Sequence, residues 1–175
     1  ERGHEAISCD LLPAADNSEF HYQGDVLDFL EMEYLRRGDF DLIIAHPPCD
    51  YLAVSGNAHY ANRPDLYMPA VDFAMTFHMW ADRVCVENPV GRLSRFWRKP
   101  DQYIQPYQFG HDASKKTGLW LKGLPLLEPT RLITKERYGN QTPSGQNNLG
   151  PSKDRKKIRS RTYEGIAQAM AEQWG

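Results

Sequence analysis

A thiol and a carboxylate stand at comparable places in this chain. Cys49 closes the run His46-Pro47-Pro48-Cys49, which follows the apolar stretch Asp41-Leu42-Ile43-Ile44-Ala45. Glu87 and Asn88 directly follow Val84-Cys85-Val86 and precede Pro89. Each apolar stretch reads as a buried strand. Two parallel strands of one sheet would deliver both residues to the same carboxyl edge, where open α/β sheets build their sites. A thiol there suits covalent catalysis, and a carboxylate suits proton donation or hydrogen bonding to substrate. Pro47 and Pro48 impose a stiff, extended exit from the first strand. Gly56 permits a tight backbone further on, and Pro89 fixes the exit beyond Glu87. The plain alternatives are a packing cysteine and a loop or helix-capping acid. A thiolate also needs cations or amides close by.

The elements that must position these residues alternate between strand and helix. Residues 4–9 read as a strand. Residues 25–37 read as a helix with Asp25 as N-cap, cations in the last turn and Gly38 as C-cap. Residues 40–45 form the next strand. Residues 66–80 carry a helical apolar stripe through Val71, Met75 and Met79, with Pro69 tolerable only in a first turn. Residues 83–86 and 118–122 read as strands, and 163–174 as a closing amphipathic helix. Alternation of this kind predicts an α/β fold with a parallel-rich open sheet flanked by helices. Residues 123–150 are rich in Pro, Gly, Asn, Gln and Thr and read as an exposed or mobile loop.

At 175 residues one domain spanning 1–175 is expected. Hydrophobic content is 41% and charged content 25%, as in ordinary soluble globular proteins. No apolar run approaches the ~18 residues of a membrane span, and Glu1-Arg2-Gly3-His4-Glu5 has no signal-peptide pattern. Cys9, Cys49 and Cys85 contain no CxxC pair, so neither a metal site nor a disulfide framework is expected. A reducing cytoplasm fits that usage. The net charge of −2 gives no global basic field. Local basic segments do occur: Arg92, Arg95, Arg98 and Lys99 flank Phe96 and Trp97. Lys153, Arg155, Lys156, Lys157, Arg159 and Arg161 follow near the end. Cations interleaved with aromatics can follow a phosphate backbone and stack on bases, although a solvated face reads equally well.

These residues carry a resemblance to the DNA cytosine-5 methyltransferases, in particular to small phage and prophage members. Pro47-Pro48-Cys49 with Gly56 is similar to that family's Pro-Cys nucleophile loop. Glu87-Asn88-Pro89 is similar to its Glu-Asn-Val element. Asp10 after Ile7-Ser8-Cys9 resembles the acid that holds the cofactor ribose, and Gly24-Asp25 the element at the adenine. Ser114-Lys115-Lys116-Thr117 resembles the basic Gln-x-Arg-x-Arg element. Residues 165–171 resemble the helix that packs back on the cofactor site. The family's Gln is Asp50 here, and its second Arg is Gly118.

The resemblance implies a Rossmann-like methyltransferase fold and S-adenosylmethionine as cofactor. It implies Cys49 as nucleophile with Glu87 and Asn88 as catalytic partners. Asp10, Asp25 and Pro47 would bind cofactor, and Arg92, Arg95 and Lys116 nucleic acid. The family's glycine-rich first motif would precede Glu1. The fold is therefore expected to be N-terminally incomplete, and this chain alone to bind S-adenosylmethionine weakly. The 123–150 loop stands in place of a target-recognition domain. The implied partner is DNA, with single-stranded or non-specific binding open and no membrane or metal. RNA or a nucleotide as substrate, the sequence context and the oligomeric state also stay open. Two rivals remain: a degenerate methyltransferase fold that binds nucleic acid or a partner without turnover, and an amino-group methyltransferase, whose Pro-Pro-aromatic loop His46-Pro47-Pro48-Cys49 nearly matches.

Overall fold

The computed structural model describes residues 3–32, 35–54, 57–145, 147–150, 160 and 162–175. Its strands are β1 (Ser8–Asp10), β2 (His21–Gln23), β3 (Ile43–Ala45), β4 (Val84–Pro89), β5 (Gln102–Ile104) and β6 (Thr117–Lys122). Its helices are α1 (Val26–Leu30), α2 (Asn57–Tyr60), α3 (Pro64–Thr76), α4 (Leu93–Phe96) and α5 (Glu164–Gln173). The fold is mixed α/β. No helix among the described residues is long and apolar enough to cross a membrane.

β1 and β2 form a separate parallel pair. The other four strands form one sheet in the order β3-β4-β6-β5. β3 runs parallel to β4, while β6 runs antiparallel to both β4 and β5. The sheet is therefore mixed rather than parallel-rich. The reason lies in the connection: residues 105–116 link β5 to β6 without a crossover helix, which suits only an antiparallel neighbour. Apolar periodicity carries no strand direction, so the sequence could not disclose this.

β4 and β6 are the two central strands, buried on both faces, which explains the unbroken apolar start of β4. Val84, Val86 and Trp120 pack with Phe29, Leu30, Val71, Ala74 and Phe77 of the α1 and α3 side. Cys85, Leu119, Leu121 and Ile104 pack with Ile166, Ala169, Met170 and Trp174 of the α5 side. Large side chains fully buried in this way contribute about 1.5–3 kcal/mol each.

α1 starts where expected: the Asp25 side chain accepts from Leu27 N at 2.8 Å. It ends at Leu30, well short of residue 37, with Glu33 and Tyr34 outside the described residues. Pro64 opens α3, so Pro69 lies inside the helix and not in its first turn. The described residues of 123–150 hold no helix or named strand but are tied to the body. Leu127 is buried, Tyr138 stacks on Tyr107 at 4.5 Å, and Asn140 exchanges hydrogen bonds with Ser114.

Candidate active site

The sheet register explains how one edge gathers the chemistry. β3 pairs with β4 only as far as Ala45 opposite Val86. β4 then continues through Pro89 on β6 alone, with Glu87 opposite Leu119 and Asn88 opposite Gly118. Pro47 and Pro48 carry the chain out of register, since proline has no N–H to extend the ladder. A notch is left beside Glu87, and residues 46–54 fill it. Because β6 is reversed, its start lies at this same edge, and so does the end of β5. The edge thus collects residues from four segments: 46–54, 87–92, 105–109 and 113–117.

Two of these segments are knitted together. Asn88 Nδ2 donates to Pro47 O at 2.9 Å. Val54 N donates to Val90 O, and Arg92 N to Leu52 O at 2.7 Å. Ala53 and Gly91 form an antiparallel bridge. A side chain at Gly91 would meet Leu52 O at 1.9 Å, so glycine is required there. Leu52 N and Ala53 N both donate to Cys49 O, which curls the loop into a turn right after the thiol. Cys49 itself is half-buried and free.

Glu87 is only 9% exposed, and its Oε2 lies 3.2 Å from His46 Nδ1. That is an ion-pair distance, yet Oε2 makes no aligned hydrogen bond among the described residues. Asn88 Oδ1 is likewise buried without a partner. Burial alone would raise the Glu87 carboxyl. Its contact with His46, the His46 charge and the Lys115 charge outweigh burial and hold it below the usual carboxylate range. Buried acceptors left open at one edge are well suited to a ligand rich in N–H donors.

Comparison with protein-family models, curated proteins and solved structures finds no match to this chain.

The remaining candidate residues are distributed as follows. Pro47 is buried and its carbonyl is engaged by Asn88. Arg92 is buried: Nη1 donates to Tyr51 O at 2.9 Å, and the guanidinium lies 4.6 Å from the Tyr67 ring centre. It braces the loop that carries Cys49. Arg95 is exposed above Phe96, which stacks on Tyr67 at 5.1 Å. These side chains, with Val54, Ala61 and Gly91, line a groove of about 250 Å³ beside the knitted loops. A larger groove of about 330 Å³ lies under the start of α5 and is lined by none of the candidate catalytic or nucleic-acid-binding residues. Lys116 sits over the Tyr103 ring at 4.3 Å, and it is Lys115 whose charge acts on Glu87. Lys115 N is held by Gln105 Oε1 at 2.9 Å. Asp10 and Asp25 end up together at the carboxyl edge of the β1–β2 pair, where both charges act on the Cys9 thiol. Gly56 and residues 153–159 and 161 lie outside the described residues.

Sequence reasoning missed His46 and Lys115 as members of the site. His46 was legible only as part of the Pro-Pro loop, and no spacing rule pairs it with Glu87. Lys115 and Lys116 are indistinguishable until the start of β6 is known.

Proposed function

We propose that this chain transfers a methyl group to C5 of cytosine in DNA through a covalent adduct at Cys49. The observation that carries the reading is the shared edge: the Cys49 loop and Glu87 leave adjacent parallel strands and are clamped together by Asn88 on Pro47. Strand direction supports a Rossmann-like ancestry, since β3, β4 and β5 run one way and β6 alone is reversed.

The chemistry follows from the electronics of cytosine. C5 is a weak nucleophile. Attack of the Cys49 thiolate forms a C6–S bond and moves the C5–C6 π pair toward C4 and N3. Glu87 and Asn88 meet the N3 and exocyclic amine edge, where charge develops, and their open acceptors suit the amine protons. C5 then takes the methyl group. Loss of the C5 proton returns the pair to C5–C6 and expels Cys49. A duplex substrate would have its target base flipped out, and the groove lined by Tyr67, Arg95 and Phe96 suits a neighbouring base and phosphate.

S-adenosylmethionine, when bound, supplies a methyl group activated by a cationic sulfur. Asp10 and Asp25 fit its ribose and adenine side: each commits Oδ1 to a backbone amide, of Leu12 and Leu27, and keeps Oδ2 for a ligand donor.

The test is a covalent trap. An oligonucleotide carrying 5-fluorocytosine, incubated with S-adenosylmethionine in large enough excess to fill a weak cofactor site, should yield a stable adduct at Cys49, because fluorine cannot leave C5 as a proton does. Cys49→Ala should abolish it. An adduct that survives this substitution removes Cys49 as the nucleophile. Methyl transfer that persists in Cys49→Ser would favour amino-group transfer instead.

A further inference from the structure

We infer that His46 acts through Glu87 as a positioning residue that supplies the proton reaching N3 of the target cytosine. The inference rests on the methyl-transfer reading above.

The need arises from the acceptors at the edge. N3 of neutral cytosine is a hydrogen-bond acceptor, and so is an ionised carboxylate. The two cannot face each other without a proton between them. Glu87 is buried, and among the groups facing it two have nitrogen that can carry a proton to it or a charge beside it: His46 from the segment after β3, and Lys115 from the segment before β6. Cys85, two residues back on the same face of β4, is a neutral thiol. Leu119, opposite on β6, is apolar. Lys115 acts on Glu87 through its charge, whereas His46 is in contact, with Nδ1 3.2 Å from Oε2. His46 is also 47% exposed, so its ring is open to proton exchange with solvent. A buried carboxylate backed by a half-exposed imidazole is a short path from water to the substrate edge.

The proton balance is simple. As Cys49 attacks C6, an electron pair collects at N3. N3 takes a proton from Glu87, and Glu87 takes one from His46 Nδ1, leaving neutral imidazole. When water takes the C5 proton and Cys49 departs as thiolate, N3 returns its proton to Glu87, Glu87 returns one to His46 Nδ1, and the pair is restored.

The experiment uses the 5-fluorocytosine oligonucleotide with S-adenosylmethionine and compares wild type with His46→Asn and His46→Gln. Asparagine sets an amide N–H where Nδ1 stands but carries no transferable proton. Adduct formation in His46→Asn is expected to be about 10²-fold slower. The alkaline fall in the wild-type rate should be flat in both variants. A His46→Asn protein that matches wild type in rate and pH profile overturns the proton role while leaving the Cys49 reading intact. Absence of adduct in wild type overturns both. The Glu87 carboxyl, followed by carbon NMR in protein without substrate, should titrate about one unit or more higher in both variants. An unmoved midpoint overturns the coupling.

Discussion

Two buried groups of β4, Cys85 and Glu87, are shifted in opposite directions, because the charges around Glu87 outweigh a burial that raises both. Cys85 is fully buried, and burial, with Glu87 and Asp101 adding, pushes its thiol far above the ordinary range. An unfolded thiol ionises near ~8.5. Above that pH the unfolded chain has lost a proton that the folded chain keeps. Stability must then fall as pH rises, by about 1.4 kcal/mol per unit for one such group. Urea titrations between about pH 8 and 10 should show this slope, shallower in Cys85→Ala. Iodoacetamide at neutral pH should label half-buried Cys49 in the native protein and leave Cys85 untouched until the chain unfolds. Glu87 has the reverse sign. Its carboxyl lies below the unfolded value of ~4.3, so its stabilisation is present above that pH and lost as pH falls through the folded value. Glu87→Gln should therefore flatten the acid limb of the stability curve.

Among the elements, the clamp between the two site loops is the most exposed to test. Asn88→Ala removes the donor on Pro47 O from a fully buried position, at a cost of about 1–3 kcal/mol. The loss should appear as a lower denaturation midpoint and as faster iodoacetamide labelling of Cys49. Much of this arrangement was legible beforehand. Val84-Cys85-Val86 and residues 118–122 read as strands because both faces are buried, and Asp25 as a cap because its side chain had no better local role. β2 and β5 were not legible. Gln102–Ile104 is three residues with a polar start, held at the sheet edge by pairing to β6. The placing of the Cys49 loop beside the Glu87 end of β4 followed from two apolar runs. The His46 contact did not, because it depends on where β3 leaves register.

At the scale of the molecule, Trp174 closes the α5 face. Trp174 is fully buried, its Nε1 donates to Pro125 O at 3.1 Å, and Arg83 donates to its carbonyl. Glu128 N donates to Gln173 Oε1 at 2.8 Å, and Gln173 Nε2 donates to Glu128 O at 3.0 Å. α5 therefore staples residues 123–130 to the sheet. Trp174→Ala should cost about 3–5 kcal/mol in chemical denaturation, since the cavity forms in a core shared by β4, β6 and the 123–130 segment.

The knitted loops also constrain how this protein can change in length. Leu52, Ala53 and Val54 are matched residue for residue with Val90, Gly91 and Arg92. One residue added to either loop shifts the frame of that pairing and turns a different side chain toward Leu52 O. Neither loop can drift in size unless the other drifts with it. A glycine inserted between Val90 and Gly91 is expected to displace the thiol and lower the melting midpoint. The same insertion between Ser144 and Gly145, at an exposed turn, should be silent. Lineages of this chain would then vary in the 139–150 region while the thiol loop and its partner keep a single joint length.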